Sequence, residues 1–379
     1  MDLDLTWLLW GLPLAFALGW VASRLDLRQW RMESRQTPKA YFRGLNHLLN
    51  EQQDQAIDAY NEAVQRDPDT AELHFALGNL FRRRGDYDRA VRVHEHLLAR
   101  ADLDRKDRDR AQHALALDFL KAGLLDRAES ALHKLDGSAF EGEALLALLA
   151  ISERSRDWPQ AQAIAQRLEN ANQGSFSPRL SHYLCEEAEL AQSKGDATEA
   201  LRLLGKAVDR APQQARGWLA LSALKAQQGD TSGAMDTLKQ MATEAPQGMP
   251  LAAQPLADLS KLVGRQAEAL QLLHTAQAHA PSLDITEALA HLSPDAARSH
   301  YLAHLEREPS LVIATKWLGG ETLSDPTAQK RVQAALEQAS APLKRYRCAA
   351  CGFEARQHFW HCPGCQSWDS YPARRVEEL

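Results

Sequence analysis

The sequence that decides the fold is residues 71–99, AELHFALGNLFRRRGDYDRAVRVHEHLLA. Apolar residues recur on both sides of Gly85 every three or four positions, which is the spacing of one face of an α-helix. Glycine ends helices because it adopts the left-handed conformation without strain. The small residues Gly78 and Ala90, one on each side of the turn, allow two helices to approach closely. The stretch therefore predicts a helix, a tight turn and a second helix packed on the first.

The same pattern recurs along the middle of the chain. Gly-Asp pairs begin at residues 85, 195 and 229, and the last two are 34 positions apart. An alanine follows each of these glycines by five positions, and several units close with a proline twelve positions later. Since each unit can bury its apolar face only against its neighbours, the recurrence predicts a continuous array of helix pairs.

These units resemble the tetratricopeptide repeat, a helix-turn-helix unit of about 34 residues. The predicted units begin near Thr37, Ala71, Asp109, Gly142, Ser181, Ala215 and Pro250, and a shortened eighth ends near Pro309. The resemblance predicts an all-α tetratricopeptide-repeat solenoid over residues 37–310, and two further helices within residues 311–342 are expected to cap it. Arrays of this kind bind partners on the concave surface that their first helices line.

Four side chains of the second unit are predicted to face that concave surface. They are Phe75, Asn79, Arg82 and Arg83, and we predict that they bind a protein partner. The alternative, which the sequence leaves open, is that they form an ordinary solvated helix face. Cys185 is expected to be a buried packing residue of the fifth unit.

Composition supports a helical protein and excludes several functional classes. The chain has 379 residues, of which only five are Ile and nine are Val, so a large buried sheet is not expected. The net charge of −6 argues against a nucleic-acid-binding surface. The sequence carries no phosphate-binding loop, nucleophile elbow or His-Glu-x-x-His motif. We therefore predict a protein that is not an enzyme and has no catalytic residue.

The N-terminus contains a long apolar run. Residues 5–23, LTWLLWGLPLAFALGWVAS, are 19 consecutive uncharged positions with tryptophan near both ends. As a helix the run would be about 28 Å long, close to the hydrocarbon core of a bilayer. This predicts a transmembrane anchor over residues 1–23. The alternative is a cleaved signal peptide, which needs a positively charged start, whereas Asp2 and Asp4 precede this run.

Residues 24–36, which follow the anchor, are predicted to be a basic juxtamembrane linker. From residue 24 to residue 39 there are five basic and two acidic side chains, whereas the anchor is preceded by acids alone. Because positive flanks stay in the cytoplasm, we expect a single-pass protein with most of its chain on the cytoplasmic side. The same charges suit contact with anionic lipid headgroups, and the alternative is that they only set the topology.

The C-terminal module, residues 343–379 with its tail, carries four cysteines in the pattern C-x2-C-x10-C-x2-C. The residues are Cys348, Cys351, Cys362 and Cys365, and two such turns complete a tetrahedral site for one iron or zinc ion per chain. A module this small needs the metal to fold. It resembles rubredoxin, and more loosely a zinc ribbon, although Gln366 replaces the glycine that usually ends rubredoxin's second knuckle. A structural or docking role is expected, with electron transfer as the alternative.

The order of anchor, repeats and metal knuckle resembles the lipopolysaccharide assembly protein B family of Gram-negative bacteria. The resemblance implies an adaptor on the cytoplasmic face of the inner membrane that helps a membrane AAA+ protease degrade the deacetylase that commits precursors to lipid A. Other lipopolysaccharide-assembly or inner-membrane regulators are further implied partners, and no nucleic acid is expected. The alternative is a membrane-tethered redox protein that uses the rubredoxin-like site.

Overall fold

The computed structural model describes residues 14–20, 42–322 and 324–379. The chain divides into two compact units, Met1–Ser155 and Arg156–Leu379. The predicted basic linker, residues 24–36, lies outside the described residues.

The first unit is helical. Residues 42–49 form a helix, and the helices that follow are α1 (Gln53–Arg66), α2 (Ala71–Arg84), α3 (Tyr87–Ala99), α4 (Arg105–Ala122), α5 (Leu125–His133) and α6 (Glu141–Ser155). Helix α2 packs on α3 and α3 on α4, so the first and second helices of successive repeats alternate in space as they do along the chain. The first helices of the predicted second, third and fourth units are α2, α4 and α6.

The second unit continues the alternation and ends in a small module. Its helices are α7 (Trp158–Asn170), α8 (Ser177–Ser193), α9 (Ala197–Arg210), α10 (Ala215–Gln227), α11 (Thr231–Glu244), α12 (Met249–Val263), α13 (Gln266–His279), α14 (Leu283–Leu292), α15 (Ala297–Arg307), α16 (Leu311–Gly319) and α17 (Pro326–Ser340). Helices α16 and α17 fall where the two capping helices are predicted. Strands β1 (Tyr346–Arg347) and β2 (Glu354–Ala355) then pair in antiparallel register.

Residues with a left-handed backbone conformation end the first helices of the repeats. Gly85 has φ 89° and Gly229 has φ 87°, which is the conformation that the repeat pattern predicts for them. Two other repeats achieve the same turn without glycine. Glu51 (φ 59°) takes the left-handed conformation in the first repeat and Arg156 (φ 57°) takes it after α6. This conformation is strained for a residue with a side chain.

Small residues set the distance between paired helices. A Cβ atom added to Gly78 would lie 2.5 Å from Nε2 of His94, so no larger residue fits between α2 and α3. Ala90 of α3 is fully buried in the same unit, in a core with Leu77 and Phe81. Cys185 is fully buried in the second unit among alanines and leucines of α8 and α9, as predicted.

The predicted membrane anchor lies largely outside the described residues. Its described part, residues 14–20, is helical, and Leu14, Phe16 and Leu18 expose more than half of their surface. Within the described ranges, no helix combines the length and the apolar character that crossing a bilayer requires. The described chain is thus an all-α tetratricopeptide-repeat solenoid with a C-terminal zinc ribbon.

A candidate metal centre docked on the repeats

The four predicted cysteines converge at one point of the C-terminal module. The Sγ atoms of Cys348 and Cys365 are 3.8 Å apart, and those of Cys351 and Cys362 are 3.7 Å apart. All four sulfurs lie within 4.8 Å of one another. A tetrahedral ion with metal–sulfur bonds of about 2.3 Å places its sulfurs about 3.8 Å apart. The four side chains therefore fit one tetrahedral metal ion of the zinc or iron type.

Two equivalent knuckles hold these cysteines. In the first, the amide of Gly352 donates to the carbonyl of Cys348 (2.9 Å), and in the second the amide of Gln366 donates to the carbonyl of Cys362 (2.8 Å). Both turns need a left-handed residue at this position, and Gly352 has φ 77° while Gln366 has φ 60°. Gln366 thus adopts the backbone conformation that glycine adopts in the first knuckle, at the cost of some strain.

Two of the four thiols favour the thiolate form that binds a metal. Burial opposes ionisation of the Cys348 thiol, but hydrogen bonds from Ser370 and from the backbone at Cys351 and Ala350 together lower its pKa to about 6. Hydrogen bonds with the side chain and backbone of Ser367 lower the pKa of Cys365. Such depressed values are typical of metal-binding cysteines. A backbone hydrogen bond at Phe353 lowers the pKa of the Cys351 thiol, but burial and the other three cysteines raise it to about 12 overall.

The module shares its small core with the repeats. Cys348 and Cys362 are buried with Tyr346 and Tyr371, and Leu251 of α12 packs against this cluster. A module of about this size buries too little apolar surface to fold alone. The repeat surface therefore supplies part of the core that the module lacks.

Trp368 makes the central contact between the module and the repeats. Its ring stacks on His182 of α8, with ring centroids 4.8 Å apart and an interplanar angle of 19°. The edges of Trp158 and Tyr183 face the same indole at 6.2 and 6.0 Å. The indole also stacks on His361, which adjoins the ligand Cys362, with ring centroids 4.3 Å apart. One aromatic stack thus joins the second knuckle to the repeats.

Polar groups accompany this stack. Nε2 of His182 lies 2.8 Å from Oδ1 of Asp369, and the His182 side chain is 1% exposed. Arg216 of α10 lies over the Trp368 ring at 5.9 Å and forms ion pairs with Glu186 and Glu189 of α8. Burial disfavours the charge of Arg216, yet the thiol of Cys185 and these two glutamates raise its pKa overall.

The C-terminal tail forms a second attachment. Arg375 pairs in a bidentate manner with Asp284 of α14, at 2.9 and 2.7 Å. Glu377 accepts hydrogen bonds from Ser310 and from the first amides of α16, and Glu378 accepts one from the amide of Leu283 at the start of α14. The carboxylates thereby compensate unpaired amides and the positive dipole end of two helices.

Sequence reasoning missed this docking. Trp368, Asp369, Arg375 and the tail glutamates contact residues that are far away in the chain, and no local spacing signals such contacts. His361, a possible competing ligand next to Cys362, is engaged elsewhere, since its Nε2 lies 2.8 Å from the carbonyl oxygen of Gln366. The arrangement suits a structural metal, because four cysteines complete the shell.

The predicted partner-binding residues of the first unit occupy different environments. Phe75 is 2% exposed, packs with Leu97, and lies beneath the Arg110 guanidinium at 4.0 Å. Asn79 is half-buried, and Arg83 is exposed. Phe75 therefore contributes to the core in this conformation, and binding of a partner by this face stays a prediction.

Arg82 belongs to a polar network that the sequence did not indicate. It donates to Oδ1 of Asp118 at 2.9 Å and also to Asn79. Asp118 is fully buried and its other oxygen bonds Nδ1 of His94, which is fully buried too. Since a buried charge is costly unless it is paired, this network fixes the relative positions of α2, α3 and α4.

Comparisons with known proteins agree with this architecture. The family described as the rubredoxin metal binding domain matches residues 346–371. Tetratricopeptide-repeat families match residues 47–85, 73–109 and 191–259. Among solved structures, the chain is similar to a tetratricopeptide repeat protein from Parabacteroides merdae, with a TM-score of 0.35 and 15% identity over 68% of this chain and 99% of that one.

Curated relatives extend over the whole chain. A protein named Lipopolysaccharide assembly protein B from Escherichia coli strain K12 is 29% identical over 390 residues, which cover 100% of both chains. A protein of the same name from Haemophilus influenzae is 27% identical and covers 95% of this chain and 96% of its own. The chain is thus similar over its whole length to the proteins named Lipopolysaccharide assembly protein B, and parts of it match tetratricopeptide-repeat families and the rubredoxin metal binding domain.

Proposed function

We propose that this protein is an inner-membrane-anchored cytoplasmic adaptor that regulates lipopolysaccharide synthesis. It would present the deacetylase that commits precursors to lipid A to a membrane AAA+ protease, and thereby promote the proteolysis of that deacetylase. The observation that carries the proposal is the full-length similarity to proteins named for lipopolysaccharide assembly. The repeat scaffold supports it, because such scaffolds are typical of adaptors that are not enzymes.

The proposed mechanism is tethering. An anchor within residues 1–23 would confine the repeats to the membrane plane and raise their effective concentration near a membrane protease. The basic segment that follows would keep the repeats on the cytoplasmic side. The repeats and the metal module would then hold the protease, the deacetylase or a second regulator of lipopolysaccharide assembly.

The contacts of the metal module favour a structural role over electron transfer. One side of the module is bound to the repeats through Trp368, Leu251 and the tail, so a large part of its surface is committed to holding the chain together. Four cysteines complete the coordination shell. The proposal therefore assigns the metal, iron or zinc, to the folding and positioning of the module.

The test is the stability of the deacetylase in cells. Removal of the protein should lengthen the half-life of the deacetylase. The full-length chain, expressed at native abundance, should return the half-life to its shorter wild-type value. A chain without residues 1–23 should fold but fail to restore the half-life, whereas the same chain with an unrelated single-span helix should succeed.

The outcomes separate the two parts of the proposal. An unchanged deacetylase half-life in cells without the protein would overturn the assigned function. Normal regulation by the anchorless chain at native abundance would overturn tethering alone.

A further inference from the structure

The module contacts a row of first helices in the second unit. Its contacts fall near the N-terminal ends of successive first helices, at His182 of α8, Arg216 of α10, Leu251 of α12 and Asp284 of α14. First helices are expected to line the concave surface on which repeat arrays bind extended partners. The module therefore occupies, within one chain, a surface of the kind that a peptide partner takes.

The attachment has two parts that differ in their dependence on the knuckles. The tail, with Arg375, Glu377 and Glu378, contacts the helices α14 and α16 through side chains that lie ten or more residues beyond the last cysteine. Trp368 and Asp369, by contrast, follow Cys365 by three and four residues. The tail contacts involve no residue of either knuckle, whereas Trp368 directly follows the second knuckle.

The backbone around Trp368 is held in a strained form. Gln366 (φ 60°) and Asp369 (φ 50°) both adopt the left-handed conformation that disfavours side chains. The amide of Asp369 donates to the carbonyl of Trp360 at 2.9 Å, which closes this loop on the knuckle. Without the metal the four thiols no longer hold the knuckle closed, so the loop is free to relax and withdraw the indole.

The surface beneath Trp368 has the features of a binding site. Trp158, Tyr183 and His182 form an aromatic receptor for a flat ring. His182 and Arg216 are almost completely buried, and within the described residues Nδ1 of His182 and Nη1 of Arg216 have no hydrogen-bond partner. With the module seated, Trp368 stacks on His182 and Asp369 pairs with Nε2 of His182, while these two nitrogen atoms stay without a hydrogen-bond partner in the described part of the chain.

We infer that the metal module is a metal-controlled cover of a peptide-binding site in the second unit. With metal bound, the module seats Trp368 and Asp369 on His182, Arg216, Trp158 and Tyr183. On metal loss this pair withdraws while the tail keeps the module attached, and the site binds an extended partner segment with an aromatic residue followed by an acidic one. The inference goes beyond the proposed function and does not depend on the identity of the protease or its substrate.

The test uses the full-length chain in detergent and a fluorescein-labelled peptide of residues 366–372, QSWDSYP. Fluorescence anisotropy measures its affinity for the zinc-loaded chain and for the chelator-stripped chain. A Trp368→Ala chain kept at saturating zinc exposes the site without metal removal, and circular dichroism verifies that the repeats stay helical. We expect the stripped chain and the Trp368→Ala chain to bind the peptide at least about tenfold more tightly than the zinc-loaded wild type.

Matched variants test the recognition chemistry. The peptide with Trp368→Ala should lose binding, and the peptide with Asp369→Asn should bind about fivefold more weakly. The chain variant His182→Phe keeps an aromatic ring but loses the bond to the carboxylate. Its affinity should therefore differ little between the wild-type peptide and the Asp369→Asn peptide. Equal affinity for the closed and opened chains, no saturable binding to the Trp368→Ala chain, or undiminished binding of the Trp368→Ala peptide would each overturn the inference.

Discussion

The substitution Trp368→Ala removes the side chain at the centre of the contact between the metal module and the repeats. The indole stacks on His182 at 4.8 Å and meets the edges of Trp158 and Tyr183 near 6 Å. Truncation of a fully buried tryptophan costs about 3–5 kcal/mol. Because Trp368 is half-buried, we expect a loss of about 2 kcal/mol in the docking of the module.

This loss should appear as weaker metal binding. Since docking stabilises the folded module and the metal binds only that form, a loss of about 2 kcal/mol lowers the apparent metal affinity about thirtyfold. Competition with a chromophoric chelator measures this affinity on the purified full-length chain. Trp368 is not a metal ligand, so the expected loss of metal affinity comes from the lost contact with the repeats.

The control is Trp317→Ala in α16, which removes an indole that packs on Arg298 at 5.5 Å and takes no part in the contact that Trp368 makes. This variant should bind the metal with an affinity within about threefold of the wild type. A Trp368→Ala chain with helical repeats whose metal affinity also stays within about threefold of the wild type would show that this contact does not stabilise the metal-bound module.

Three further changes have definite expected results. Gln366→Gly should stabilise the zinc-loaded module by about 1 kcal/mol, visible as a higher temperature of metal release, because glycine adopts φ 60° without strain. Glu377→Gln removes a charge from the start of α16 and should cost about 1 kcal/mol, seen as faster amide exchange at Leu311. Burial lowers the pKa of His74 and His304, so the folded state resists their protonation. Their contribution to stability should be full above about pH 6.5 and fall as the pH drops towards 5. Denaturant titrations at several pH values measure this change. The contradicting results are an unchanged temperature of metal release for Gln366→Gly, an unchanged amide exchange rate at Leu311 for Glu377→Gln, and a stability that does not change from pH 7 to 5.

The repeats could be predicted because their signals are local and recur. A glycine such as Gly85 fixes a left-handed turn, and small residues such as Gly78 mark where helices cross. Two turns escaped the pattern, since Glu51 and Arg156 take the same conformation without glycine. There the backbone conformation opposes the local preference of the residue, which a single sequence does not reveal.

The metal ligands could also be predicted, because the spacing of Cys348, Cys351, Cys362 and Cys365 by itself brings their thiols together. The docking surface could not be predicted. His182 and Asp369 are 187 positions apart, and their contact depends on the path of the repeats between them. Likewise, the position of Phe75 in a repeat suggested an inward-facing side chain, whereas its burial depends on Arg110 from the next repeat.

Metal content tests the central structural claim most directly. Elemental analysis of the full-length chain, purified without chelator, should find one iron or zinc ion per chain. The double variant Cys348→Ser with Cys351→Ser should contain none, while its circular dichroism keeps the helical signal of the repeats. A wild-type chain without metal, or a double variant that retains it, would contradict the assignment of these four cysteines.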